Sequence, residues 1–178
     1  MKPKFSSTWL YEYITEPFKT IENYQNYTPV IEGLTLLTLL GIHSGIYANK
    51  SLGFGIGIAI FGIIFTWISS ALSGLMAKLF DLTPQIATTF YWYAVASLPG
   101  IIAIPLDLIR PGKILLFCVS VLTGILGFIL QYKSIKTIYK VPTGKALLIT
   151  LAPLILTLCI VLGGGLLLLG SVALKALT

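Results

Sequence analysis

Residues 51–77 read SLGFGIGIAIFGIIFTWISSALSGLMA, 27 residues without a charge. About 20 helical residues cross the ~30 Å hydrocarbon core of a bilayer. The stretch is long enough to do so. Four other charge-free gaps lie on either side of it: Gly33–Asn49 (17 residues), Leu82–Leu106 (25), Ile114–Tyr132 (19) and Ala146–Leu174 (29). Each is predominantly apolar. Together they predict five transmembrane helices, at about 30–49, 52–77, 85–107, 114–132 and 146–174. The first is short unless Thr28 to Glu32 supplies its opening turn. The last can tilt, overhang the bilayer or break at Gly163-Gly164-Gly165. No ten-residue unit with period-2 alternation recurs, which excludes a β-barrel.

Composition agrees. The 178 residues are 56% hydrophobic and only 10% charged, with a mean hydropathy of +0.93. An ordinary soluble domain carries roughly a quarter charged residues. The expected fold class is therefore an all-α integral membrane protein. Residues 1–28 are a cytoplasmic, interfacial amphipathic segment, and residues 29–178 form a five-helix transmembrane domain. The first thirty residues hold Glu12, Glu16 and Glu22 and no apolar h-region, so no cleavable signal peptide is expected. Cys118 and Cys159 both fall in apolar runs, which argues against a disulfide framework.

Helix starts are marked by hydroxyls. Thr28-Pro29, Thr83-Pro84 and Thr143 each place an oxygen near the first free N–H groups. Pro29 and Pro84 are expected at the first helical position, where a missing N–H costs nothing. Glu32 lies at the positive end of the first dipole.

Orientation follows from counting. A cytoplasmic N-terminus puts Lys2, Lys4, Lys19, Lys78, Lys133, Lys136, Lys140 and Lys145 inside, and Lys50, Arg110, Lys113 and Lys175 outside, a bias of 8 to 4. That predicts a C-terminus on the far side. The net charge of +6 then encodes orientation and attraction to anionic lipid, not nucleic-acid binding. Half of the inner total lies between Lys133 and Lys145, a connection without an acid. Lys133, Lys136 and Lys140 repeat at i, i+3, i+7, with Ile135, Ile138 and Tyr139 off the stripe. A helix running past the bilayer would turn them into a basic ledge. Lys133, Lys136, Lys140 and Lys145 are the candidate anionic-lipid contacts. An ordinary positive-inside anchor accounts for them more simply than a specific partner site does.

The N-terminal segment carries Leu10, Ile14, Phe18, Ile21 and Tyr24 at helical spacing, with rings at Trp9, Tyr11, Tyr13, Tyr24 and Tyr27 that favour the water–lipid boundary. Pro17 splits it into two pieces, because the residue before a proline is pushed out of the α region. The segment either lies on the inner membrane face or covers the cytoplasmic end of the bundle.

Within the spans, small residues recur four apart: Gly41/Gly45, Gly53/Gly57, Ser70/Gly74 and Ala96/Gly100. Such pairs let helices approach closely in lipid. Packing inside this chain is the simplest use, and oligomerisation the sharper one. Pro99 and Pro105 interrupt the third span and bend it. Asp107 and Arg110 are expected to pair at its outer end. His43 is the single histidine and sits in the first span, with no second ligand at suitable spacing in its helix. A packed neutral imidazole is preferred to a metal ligand or proton relay. Ala71-Leu72-Ser73-Gly74 narrowly misses an intramembrane serine-protease motif, and His43 precedes it rather than follows. Zinc peptidase motifs, paired-aspartate motifs and phosphate loops are absent. The expectation is no enzyme, no catalytic residue, no cofactor and no metal.

Three stretches resemble the Yip1 domain family, and its compact prokaryotic-type members most. They are Glu16-Pro17-Phe18-Lys19-Thr20-Ile21, the third-span run Phe90-Tyr91-Trp92-Tyr93-Ala94-Val95-Ala96-Ser97-Leu98-Pro99, and Ile135-Lys136-Thr137-Ile138-Tyr139-Lys140 through Gly144-Lys145-Ala146. A bend-forming proline in the third span and a Lys-Ala start to the fifth helix are common in that family. The resemblance implies a non-enzymatic, multispanning protein that acts by association. Eukaryotic members have a longer hydrophilic N-terminus with acidic Gly/Pro motifs. This chain lacks them, so adaptor binding to small GTPases does not carry over, and no family site residue maps onto it.

The expected function is a membrane organiser or adaptor, of the trafficking or membrane-homeostasis type, working through helix packing and lipid contact. Its partners would be the bilayer and its anionic lipids, other membrane proteins or a second copy. Its membrane would be the plasma membrane in a prokaryote, or the Golgi or ER. The alternative is a small-molecule transporter or substrate-binding subunit with a polar cavity near Pro99, Pro105 and His43.

Overall fold

The computed structural model describes residues 7–25, 29–49, 51–102 and 113–159, and all regular structure among them is helical. The elements are α1 (Ser7–Thr15), α2 (Pro17–Asn23), α3 (Val30–Asn49), α4 (Leu52–Lys78), α5 (Ile86–Ala96), a 3-10 turn (Leu98–Ile102), α6 (Lys113–Tyr139) and α7 (Thr143–Cys159). Pro105, the Asp107/Arg110 pair, the glycine run at 163–165 and the far end of the fifth span lie outside the described residues.

Among the described residues two helices are long and apolar enough to cross a membrane: α4, and Phe117–Tyr139 of α6. Both are mostly exposed. Ile60, Phe61 and Ile64 on α4, and Phe117, Leu122 and Ile125 on α6, face outward. A soluble protein buries a core helix of that length; these two present oily flanks along their length and need lipid as solvent. Val30–Gly45 and Thr143–Cys159 are shorter apolar helices.

The helices α3 and α4 form a tight antiparallel pair. A Cβ on Gly45 would stand 2.0 Å from the Gly55 Cα, and one on Gly41 would stand 2.3 Å from the Ala59 Cα. Only hydrogen fits there, so this small-residue stripe is spent inside the chain. Gly57 and Gly62 face open space instead, so the Gly53/Gly57 pair does not serve this contact.

At the centre stands α5, where every residue from Thr88 to Ala96 is buried. Phe90 stacks on Trp67 of α4, ring centroids 4.4 Å apart. The third span is not the single helix expected at 85–107. It starts at Ile86 rather than at Pro84, with Gln85 as its flanking residue. It stops at Ala96, because Pro99 has no N–H to give the Val95 carbonyl four residues back. The chain tightens into the 3-10 turn instead, with the Gly100 amide donating to the Ser97 carbonyl at 2.9 Å. An orphan carbonyl in an oily bundle is costly. The Tyr13 phenol supplies the missing donor, reaching the Val95 oxygen at 3.2 Å.

The same event recurs in α7. Pro153 leaves the Ile149 carbonyl without its helical donor, and the Ser73 hydroxyl of α4 donates to it at 3.2 Å. Ser73 has a single proton. It is committed to Ile149, so the Tyr93 hydroxyl must donate to the Ser73 oxygen, 2.8 Å away. This relay ties α4, α5 and α7 together.

The N-terminal segment breaks at Glu16, whose φ of −134° and ψ of 62° leave the helical region ahead of Pro17. Its buried face matches the Leu10/Ile14/Phe18/Ile21/Tyr24 stripe only in part: Ile21 is fully buried and Leu10 and Tyr24 pack against the core, but Ile14 and Phe18 are exposed. Trp9 and Tyr13 are 3% and 4% exposed, whereas Ile14 is 69% exposed. The two rings stack at 5.4 Å, and Trp9 lies 6.4 Å from Tyr91 of α5. Large rings with a polar tip win this contact because they bury more area and bring the donor that Val95 lacks. Beyond the expected boundaries, α6 runs to Tyr139 and α7 begins at Thr143. The turn between them is made by Lys140, at a left-handed φ of 51°, with Pro142 closing the entrance to α7.

Two outcomes are expected from unfolding titrations in detergent. Tyr13→Phe should cost about 1–2 kcal/mol in the native chain, and markedly less in a Pro99→Ala background, where an amide can take the Val95 carbonyl. Gly45→Leu should cost about 3 kcal/mol or more by forcing α3 off α4, while Gly57→Ala should be neutral or stabilising by up to about 1 kcal/mol.

Candidate functional site

The sequence offered three places to look: the lysines at the α6–α7 turn, the lone histidine, and the proline-broken third span. The structure treats them differently.

The four lysines do not form one uniform ledge. Lys133 Nζ is 2.6 Å from Glu22 Oε1 and lies 5.8 Å from the centre of the Phe18 ring. It fastens α2 to α6. Lys136 donates to the Thr143 hydroxyl at 3.1 Å, bracing the start of α7. Lys145 sits 5.3 Å over the Phe80 ring and is exposed, as is Lys140. The apolar side of this helix end is packed: Ile135, Ile138 and Tyr139 are buried. The Tyr139 hydroxyl accepts the Gln85 amide at 3.0 Å, joining the loop before α5 to the end of α6. On α2, Lys19 pairs with Glu16 at 2.9 Å, and that contact raises the Lys19 pKa. Burial raises the Tyr13 pKa, so the phenol keeps the proton it donates to Val95.

His43 and Ser73 are not brought together. The α3/α4 pairing sets His43 beside Gly55–Ala59. Ser73 lies 14 residues beyond Ala59 along α4, ~21 Å at 1.5 Å per residue. The Ser73 hydroxyl is also spent on Ile149 and Tyr93. Among the described residues no three His, Cys, Asp or Glu side chains gather as a metal site.

A cavity does lie at Pro99, of about 270 Å³, between the N-terminal segment and α6. It is apolar, lined by Leu10, Ile14, Leu98, Pro99, Leu126 and Leu130 among others, and His43 is not part of it. The transport alternative called for a polar cavity near Pro99, Pro105 and His43; a cavity with polar side chains in a largely apolar wall lies elsewhere. About 320 Å³ of space opens between α4, α5, α6 and α7, next to Pro153. Ser69, Tyr93, Ser97, Gln131 and Thr150 line it. A neighbouring hollow of about 460 Å³ shares Ser97, Phe128 and Gln131 with it and adds Ser120 and Thr123. One signal for it was visible beforehand: Gln131 is the only amide side chain in the fourth gap. The convergence of hydroxyls from α4, α5 and α7 on it was not.

Oily flanks, a buried aromatic helix and proline-freed carbonyls met by hydroxyls define a helical membrane bundle. The Yip1 domain family matches residues 13–164, most of the chain, and the chain belongs to that family. No curated protein and no solved structure matches it. The matched region contains the Glu16-Pro17 break, the buried α5 with Pro99, and the α6–α7 turn, where Ala146 is fully buried.

Proposed function

We propose that the protein is a non-enzymatic membrane organiser or adaptor of five spans, with a cytoplasmic N-terminus and the C-terminus on the opposite side. One observation carries this. The described bundle leaves broad apolar flanks on α4 and α6 for lateral contact. The lysine bias of 8 to 4 supports the orientation. The N-terminal segment supports an interfacial position, since Trp9 and Tyr13 hold it to the bundle while Tyr11, Ile14 and Phe18 point outward.

The basic end then grips anionic lipid unevenly. Lys133 is engaged by Glu22, so Lys140 and Lys145 contribute most. Each exposed lysine gains about 1 kcal/mol from an anionic leaflet. In nanodiscs of mixed neutral and anionic lipid, Lys140→Gln and Lys145→Gln should each lower retention of anionic lipid about fivefold. Lys133→Gln should do less, and Glu22→Gln should raise retention. Equal retention across all of these variants defeats the lipid contact. Reporter fusions that place both termini on one side defeat the odd number of crossings.

A further inference from the structure

We propose that the cavity beside Pro153, between α4, α5, α6 and α7, binds the uncharged headgroup of a glycerolipid, of the diacylglycerol type, entering sideways from the bilayer. This goes beyond the organiser role and does not depend on it.

The cavity has polar groups with nothing to do. Ser69 is only 6% exposed and lines the cavity. Its hydroxyl has no hydrogen-bond partner among the described residues. The Gln131 amide lines both the cavity and the adjoining hollow and is likewise without one. The Ser69 hydroxyl, on a buried residue, and the half-buried Gln131 amide both reach the cavity, and polar groups in an oily surrounding gain from a ligand that bonds to them.

The other hydroxyls set the required pattern. Thr66, Thr150 and Thr157 each give their proton to a carbonyl four residues back in their own helix, at 2.7–2.8 Å. Each keeps oxygen lone pairs that can still accept. The cavity therefore offers donors at Gln131 and Ser69 and acceptors at the threonines. A ligand with carbonyl oxygens and one free hydroxyl answers both.

Charge and access narrow the class. Among the described residues no Asp, Glu, Lys, Arg or His lines the cavity, so a phosphate or ammonium would be desolvated without a counter-charge from them. Phe65, Phe128 and Leu154 form its apolar rim. They are 45%, 36% and 64% exposed, on the flanks that face lipid. Such a mouth admits a head that carries tails and leaves those tails in the membrane. The space of about 320 Å³ is many times the ~10–15 Å³ that a single water needs. A glycerol diester head, of about ten non-hydrogen atoms, fits that space.

The test uses the full chain in detergent, with dioctanoylglycerol, dioctanoylphosphatidic acid and free glycerol as probes. Thermal unfolding and equilibrium binding are the readouts. Saturable binding and a raised midpoint are expected with dioctanoylglycerol alone. Ser69→Ala should weaken its binding about fivefold, and Gln131→Leu about tenfold. Without ligand, Gln131→Leu should unfold no more easily than the native chain, because it removes an idle amide; a Gln131 that only supports the fold would lower the midpoint. Leu154→Trp, which narrows the mouth, should block binding without touching a polar group. Equal response to phosphatidic acid or to free glycerol overturns the proposal. So does the absence of saturable binding, or unchanged affinity in both polar variants.

Discussion

A proline inside a helix silences one amide and strands the carbonyl four residues before it. In water that carbonyl finds a solvent molecule. In a bundle sheathed by hydrocarbon it must find a partner in the protein, and this chain meets the requirement twice. Pro99 strands Val95, and Tyr13 answers from the N-terminal segment. Pro153 strands Ile149, and Ser73 answers from α4. The central architecture follows from those two events. The first pins α1 against α5 and brings Trp9 onto Tyr91. The second threads a hydroxyl relay from Tyr93 through Ser73 into α7. Each proline also lines a cavity: an apolar one at Pro99 and, at Pro153, one whose wall carries hydroxyls and the Gln131 amide.

The rest of the cohesion divides by neighbour. Where α3 meets α4, contact is made by having no side chain at all, and Gly41 and Gly45 allow backbone to touch backbone. Where α5 meets its surroundings, contact is made by the largest side chains available, with Phe90, Tyr91 and Trp92 almost wholly buried. Lipid offers no hydrophobic drive for helices to meet, so close approach and hydrogen bonds must hold them. The glycine seam and the aromatic core are two solutions to that condition. They let α4 and α6 leave their outer flanks unpacked, and those flanks carry the reading of the protein as one that works by lateral association.

The ends obey different physics. Charges collect at the α6–α7 turn and along the N-terminal segment, where water can solvate them. They neutralise one another in part, as Lys133 with Glu22 and Lys19 with Glu16 do. Counting lysines along the sequence therefore overstates the free positive charge of that end. The i, i+3, i+7 stripe was visible in the residues 133–140. Its engagement by Glu22, 111 positions away, was not, because a charge count does not know which acid is folded against it.

What the sequence alone decided is the medium and the helical character of the chain. Both depend on local quantities: the run of residues between charges, set against the thickness of hydrocarbon, and the proline positions that end or bend a helix. The Glu16-Pro17 break and the interruption at Pro99 were readable for that reason. The buried face of α1 was not, since Ile14 and Tyr13 are neighbours with equal claims until one of them finds a carbonyl in need. Only the tertiary structure paired the stranded carbonyls with hydroxyls 82 and 76 residues distant, and only it turned Ser69 and Gln131 toward a common space. Hydrogen bonds of that range are chosen by how helices pack, and packing is a property of the assembled bundle that no single stretch of chain contains.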